Sequence, residues 1–404
     1  MVVVPVLFFV PLRSNILFGQ AYLLLFVLLL EGYIAYKRGK VLLSSLIWAI
    51  AILFKLFPVL IVLFLLLRKK YRNIAYLAVT GSLLLLLSIC INGFAAWKFY
   101  LLEMFPRAGN GELNNSFAYQ FQSVCMLLRS VFVYDGLLNP SPLSVQPHIA
   151  IGLLAIWKAF VITACVCVSL QRKGTDFVVF AMWITASMLI SPNGSSYSLI
   201  LLLLPLLAVP AITIEQGKRG GLILVVILGL LWLINIIPVY KLGNLPVLLR
   251  FPRLYVLILF FCLLLVAMKI RMHYGILALF IAVFVLTDLR KFLPDKDTSS
   301  YVLAKEEHLL MYDYRFINGL LVYYYRDGMG DSEAATGYAV SGYTTNGVRL
   351  VNNQVYYDNT QLTFTNDWKK KPMLVNNNCI FYLSDKNRGI GFYTLRKIIL
   401  PSSR

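Results

Sequence analysis

Lys55 stands near the middle of an apolar stretch, SSLIWAIAILFKLFPVLIVLFLLLRKK, running from Ser44 to Lys70. An ammonium at that depth in a membrane is expensive unless it reaches water or meets an anion, so by default it marks a functional site. Arg129, and after it Arg107, are the planar two-pronged cations that suit a phosphate group. The three make a candidate phosphate clamp. Glu103, Glu112 and Asp135, in that order, are the acidic residues of one long polar loop that could take a proton from an attacking hydroxyl. Glu103 equally suits a pairing with Lys98 or Arg107. The turn SPNGSSYS sets Ser191, Pro192 and Asn193 between two apolar runs; its hydroxyls and amide suit sugar hydroxyls, and equally an ordinary helix cap and turn.

The elements that must position these residues are membrane helices. Of 404 residues, 59% are hydrophobic, mean hydropathy is +0.76, and apolar runs of spanning length recur from Val2 to about Leu289, which excludes a soluble domain. The net charge of +19 is concentrated: residues 1–290 carry 23 Lys plus Arg against 7 Asp plus Glu, and residues 291–404 carry 14 against 11. The excess sits in short loops, as cytoplasmic loops require, so no nucleic-acid partner is expected. The six cysteines show no CxxC or Cys/His metal spacing.

Apolar segments at about 16–36, 41–54, 56–67, 74–92, 149–170, 176–190, 196–214, 221–239, 254–268 and 274–289 predict about eight to nine spans. The basic loops 37–40, 68–72, 172–173, 218–219 and 269–271 fall on one side only if 41–67 enters and leaves on that side. Fourteen helical residues rise about 21 Å, short of a hydrocarbon core of about 30 Å. Pro58 breaks the helix just after Lys55. The expectation is a hairpin of two short helices with Lys55 at its tip, lining a wet cavity because a turn's backbone cannot face lipid. A single tilted span with Lys55 snorkelling is the alternative.

The transmembrane domain is thus placed at 1–290, with a structured outer loop at 93–148 whose Trp97, Tyr100, Leu101, Met104 and Phe105 recur at helical spacing. After the polar boundary FLPDKDTSS, alternating Tyr-rich stretches with turns at Asp327-Gly328, Asn346-Gly347 and Lys386–Gly389 predict a small extracytoplasmic β domain over 295–404.

Three stretches then carry a resemblance. RSNILFGQAYLLLF…ILFKLFPVLIV is similar to the "N…GQ" helix and following Lys/Pro segment of glycosyltransferase family 87. AAWKFYLLEMFPRAGNGELNNSFAYQFQSVCMLLRS resembles its "W..Y…NQS…R" outer loop, and MLISPNGSSYSLILLLLPL its "SP.SW.HH…P" element. The resemblance, over about residues 10–215, implies a GT-C-type bundle and a membrane hexosyltransferase moving a sugar, typically mannose, from a polyprenyl-phosphate donor to a glycan or glycolipid acceptor on the outer face of the cell membrane. It implies no cofactor. Carried over by position, it puts Asn15, Gln20, Lys55, Trp97, Asn115, Ser116, Arg129, Ser191 and Pro192 around the active cavity.

The sequence departs from that pattern twice. Ser195, Ser196, Tyr197 and Ser198 replace the aromatic and histidines of the third element. The resemblance also implies a catalytic aspartate in the first outer loop, yet no Asp or Glu precedes Glu31. The expectation is a chain lacking its first helices, inactive alone, or a non-catalytic relative; Glu103 and Glu112 are the substitute bases. A flippase or transporter of lipid-linked saccharide and an envelope-anchoring protein are the competing classes.

Overall fold

The computed structural model describes residues 8–113, 115–136, 138–171, 175–214, 218–288, 300–301, 310–327, 330–365, 367–385, 389 and 392–400. The chain divides into two units, neither of them one continuous stretch. The first holds residues 1–106, 119–128 and 149–288; the second holds 107–118, 129–148 and 289–404. Much of the long polar loop thus belongs with the C-terminal residues.

The first unit is helical. It begins with α1 (Phe9–Leu17), α2 (Tyr22–Lys37), α3 (Val41–Phe54), α4 (Ile61–Leu67) and α5 (Tyr71–Asn92). The predicted helix at 16–36 is in fact broken: α1 and α2 meet at 116°. Gly19, at φ +57°, makes that corner without the Cβ penalty another residue would incur. Helix α3 ends at Phe54, four residues before Pro58, where a proline nitrogen can give the Phe54 carbonyl no hydrogen bond. Lys55 follows in extended conformation, and Pro58 sits in a 3-10 turn, Phe57–Leu60, that leads into α4.

The 41–67 segment doubles back. Asn73, at the start of α5, donates to the Ser44 hydroxyl at 3.3 Å, and the Ser45 hydroxyl donates to the Asn73 carbonyl at 3.1 Å. A continuous helix would hold residues 44 and 73 about 43 Å apart. Lys37 and Arg68 both approach Asp176, at 3.7 and 3.3 Å, at the end of the unit where α3 starts. Lys55 lies one α3 length away.

Packing here rests on close contact, because lipid tails solvate apolar side chains as well as leucine does. Trp48, Phe180, Phe64 and Tyr36 meet with ring centroids 5.7–5.9 Å apart. A Cβ on Gly32 would collide with the Trp48 indole, so only glycine lets that ring lie on α2.

Three described helices are long and apolar enough to cross a membrane: Tyr71–Asn92, Pro147–Leu170 and Ser196–Ile214. The bent pair α1–α2 makes a fourth if it is one span. The eight to nine expected spans are not reached on length and composition, because Asp176–Ile190, Pro252–Ala267 and Tyr274–Thr287 hold 15, 16 and 14 residues. Such helices rise about 21–24 Å, less than the hydrocarbon thickness. Leu83, Leu86, Leu87 and Ile91 of α5 are exposed, as lipid-facing residues are in a membrane protein.

In the second unit, the described strands form a five-stranded antiparallel sheet in the order Ser300–Tyr301, Thr394–Ile399, Cys379–Ser384, Lys369–Val375, Tyr343–Thr344. Two three-stranded meanders, starting at Leu310 and Val348, accompany it. The predicted Asn346-Gly347 turn is present, with Gly347 at φ +75°. Gly328 and Lys386–Arg388 lie outside the described residues. Asn318-Gly319, Asn352-Asn353 and Asn376-Asn377 take positive φ in pairs, the backbone of the tight hairpin turn that asparagine and glycine tolerate best.

Candidate functional site

Lys55 caps the C-terminal end of α3, where the chain has left helical geometry. Its Nζ lies 5.1 Å from the centre of the Tyr22 ring, at the start of α2. Tyr22 in turn meets Tyr197 at 5.2 Å and Phe57 at 6.1 Å. Among the described residues, no carboxylate lies within ion-pair reach of the half-buried Lys55.

Asn15 joins these aromatic residues. It is buried in α1, and its amide nitrogen donates to the carbonyls of Pro11 at 2.8 Å and Tyr197 at 2.9 Å. Its Oδ1 accepts the Tyr22 backbone N–H at 3.0 Å. One side chain therefore closes the α1–α2 corner and ties it to the 3-10 helix Ser196–Leu202. Gln20 stays local, donating to the Phe18 carbonyl at 3.3 Å.

The turn before Tyr197 is stitched to distant chain by Gln122 and Ser123. The Gln122 N–H donates to the Gly194 carbonyl at 3.0 Å, and the Ser123 hydroxyl to the Pro192 carbonyl at 2.5 Å. A Cβ on Gly194 would run into the Gln122 carbonyl. Ser191 accepts the Asn193 N–H at 3.3 Å, the local turn bond that was the ordinary expectation for it. The Asn193 Oδ1 and the Ser195 Oγ are buried with no hydrogen-bond partner among the described residues.

Arg253 completes this side. Its guanidinium donates to the Ser196 hydroxyl and to the Ile237 carbonyl, both at 2.6 Å, while its backbone N–H donates to Gln122 Oε1 at 3.1 Å. No carboxylate lies within ion-pair distance of it among the described residues. Gln122, Ser123, Gly194, Ser198 and Arg253, with the apolar Met188, Leu189, Leu199, Leu254 and Leu257, line a crevice with room for about one water-sized group.

The other expected residues, Glu103 apart, have partners of their own. Trp97 donates to the Ser88 hydroxyl of α5 at 3.2 Å and meets Tyr100 edge-on. Glu103 sits in the helical turn Tyr100–Met104, and its side chain lies outside the described residues. In the second unit, Arg107 is buried and bound to Asp385, its Nη2 2.8 and 3.0 Å from the two carboxylate oxygens. Arg129 pairs with the buried Glu112 at 3.4 Å. Asn115 accepts the Phe117 N–H and the buried Ser116 donates to the Gly111 carbonyl, both loop-shaping bonds. Asp135 accepts the Leu138 N–H in the same manner.

Residues 1–192 match the family model of glycosyltransferase family 87. No curated protein and no solved structure matches the chain. The match, over just under half of the chain, supports glycosyl transfer as the class of activity. It covers Asn15, Gln20, Lys55, Trp97, Arg107, Arg129 and Ser191, stops one residue short of Asn193, and leaves out the C-terminal strands. Within it, the structure brings Lys55 and Asn15 together through Tyr22.

Tyr22, Gln122, Ser123 and Arg253 of this arrangement carried no expectation as site residues. Tyr22 lies two residues after Gln20, and its role follows from facing Lys55 across the α2–α3 pair. Arg253 was legible only as a loop cation, because its meaning comes from a contact 57 residues away in sequence. Chemically, the cluster offers an ammonium on an aromatic face, backbone-fixed hydroxyls and no acid among the described residues, which suits an anionic, hydroxyl-bearing ligand.

Proposed function

We propose that this chain is a membrane glycosyltransferase that moves a hexose, mannose by resemblance to family 87, from a polyprenyl-phosphate donor to a lipid- or glycan-linked acceptor on the outer face of the cell membrane. One observation carries this reading: Lys55, at the break of a doubled-back helix pair, meets an aromatic face and no carboxylate among the described residues. A phosphodiester on a lipid tail is an anion delivered at such a depth, and its charge compensates the ammonium.

In this reading Lys55 neutralises the phosphate as the sugar–oxygen bond breaks, when negative charge grows on the leaving polyprenyl phosphate. Asn15 keeps Tyr22 and Tyr197 in place around it. Serine and asparagine groups of the 191–198 turn bind sugar hydroxyls. Of the two candidate bases, Glu112 is engaged by Arg129, whereas Glu103 belongs to the same unit as Lys55. Glu103, the first of the acids expected from the sequence, is the group proposed to take the acceptor proton.

The test is to incubate the purified protein in nanodiscs with polyprenyl-phosphate mannose and a glycolipid extract, and to follow release of polyprenyl phosphate. Release that disappears in Lys55→Gln supports the reading. Donor moved across the bilayer without cleavage would assign the chain to flipping instead.

A further inference from the structure

We infer that Arg253 is a second anion-binding residue of the Lys55 site, so that a phosphate-bearing ligand is held from both flanks of the Ser195–Ser198 turn. The inference rests on the proposed donor reading and extends it to a residue beyond the family match, which ends at 192.

The first ground is charge. Arg253 is 6% exposed and stands in the first turn of the helix Pro252–Ala267. Helix N-termini are positive, so a guanidinium there is repelled rather than favoured. A buried cation of this kind is ordinarily paired with a carboxylate, because leaving it alone costs several kcal/mol. Here its partners are neutral: the Ser196 hydroxyl and the Ile237 carbonyl. The site is short of negative charge.

The second ground is unmet hydrogen bonding at the same place. The Arg253 Nε, the Asn193 Oδ1 and the Ser195 Oγ are all buried and lack partners among the described residues. A buried polar group left without a partner keeps its full desolvation penalty. They come from one turn and the arginine bonded to it; the crevice that Arg253 lines, together with Gly194, Ser198 and the apolar Met188, Leu189 and Leu254, has room for about one water-sized group. A phosphoryl oxygen accepts from Nε–H and from the serine hydroxyl, and a sugar hydroxyl donates to the Asn193 oxygen.

The third ground is placement. Ser196, which Arg253 holds, precedes Tyr197, whose ring meets the Tyr22 ring that lies under Lys55. Neither cation has an acid partner among the described residues, and both reach one short turn, Arg253 directly and Lys55 through Tyr22. A single anion bridging them satisfies both charges, and the guanidinium fork adds direction where the ammonium adds only charge.

Binding of a short-chain polyprenyl phosphate to the full chain in neutral-lipid nanodiscs tests this, with inorganic phosphate and phosphatidylglycerol as parallel probes. Arg253→Gln and Lys55→Gln are each expected to weaken polyprenyl-phosphate binding about tenfold or more, as loss of a charged hydrogen bond does. The double variant should lose less than the product, because one anion is shared. Arg253→Lys, which keeps the charge, should stay within about threefold of the parent, with thermal melting confirming that each variant is folded. The inference is overturned if folded Arg253→Gln binds as the parent does, if Lys and Gln at 253 lose equally, if the two effects multiply independently, or if phosphatidylglycerol alone binds. Loss confined to Lys55→Gln would leave the donor reading standing without Arg253; an unaffected Lys55→Gln would remove the donor reading itself.

Discussion

Arg107 places both its strong hydrogen bonds on Asp385, 278 residues further along the chain, and the pair is almost wholly buried. The guanidinium also lies 5.2 Å from the centre of the Trp368 ring. A residue with the right chemistry for phosphate is thus a strut between the loop segment 107–118 and the end of the strand Cys379–Ser384. Removing one member of a buried pair leaves the other charge stranded, which costs about 3–5 kcal/mol. Arg107→Ala and Asp385→Ala should therefore each release the C-terminal strands to protease, and the double variant should be milder than the sum. Limited proteolysis of the full chain reads this directly.

The acid side of the C-terminal strands has a definite sign. Burial by itself would raise the Asp367 carboxyl, but the Lys369 ammonium 2.8 Å away, with the Ser384 and Thr365 hydroxyls, holds it below its ordinary value. Asp313 behaves alike: burial pushes up and is outweighed by Lys371 at 2.7 Å. A depressed carboxyl stabilises the fold above the unfolded value near pH 4 and loses that stabilisation as pH falls through the folded value. Asp385 runs the other way, since burial raises it against the pull of Arg107. Protease resistance should drop below about pH 4, and Asp367→Asn should show less of that drop, on a lower plateau.

Lys55→Gln deletes the charge and shortens the side chain by one atom while keeping a polar end. Loss of one preorganised contact to developing negative charge typically costs about 10²–10³ in turnover. Sugar transfer should fall by that order while melting temperature changes little, because the charge has no carboxylate partner to abandon among the described residues. Unchanged turnover in Lys55→Gln would contradict the site.

Asn15→Asp retains the acceptor for the Tyr22 N–H but loses both donated bonds, to Pro11 and Tyr197. Two bonds lost around a buried group should cost about 2–3 kcal/mol. Turnover should fall further than stability does, since Tyr197 and Tyr22 together support the ammonium. Thermal melting beside a transfer assay separates the two effects.

Doubling back of the 41–67 segment is checked by a cross-link. Ser44→Cys combined with Asn73→Cys, in a background with its native cysteines replaced, should form a disulfide under mild oxidation, since the native side chains are in hydrogen-bond contact. A control pair with Ser44→Cys and Ile89→Cys, at the far end of α5, should remain reduced. The opposite pattern would mean an unbroken span.

Membrane character, the helix break beside Lys55 and the alternation of the C-terminal strands were legible in the sequence, because each follows from local physics: apolar run length, the missing proline N–H, and side-chain period. The Asn352-Asn353 and Asn376-Asn377 turns were not among the turns expected, although asparagine tolerates the positive φ they need. The number of spanning helices did not follow from run length, since Gly19 breaks the 16–36 run and Asp176–Ile190, Pro252–Ala267 and Tyr274–Thr287 hold only 14 to 16 residues. Only the tertiary structure decided what the charged residues do. Arg107 and Arg129 have the same chemistry as Arg253, yet the first two meet Asp385 and Glu112 whereas the third meets Ser196 and no acid among the described residues. A charge's role is set by the partner that packing brings within 4 Å, and partners 17, 278 and 57 positions away are chosen by the fold rather than by spacing.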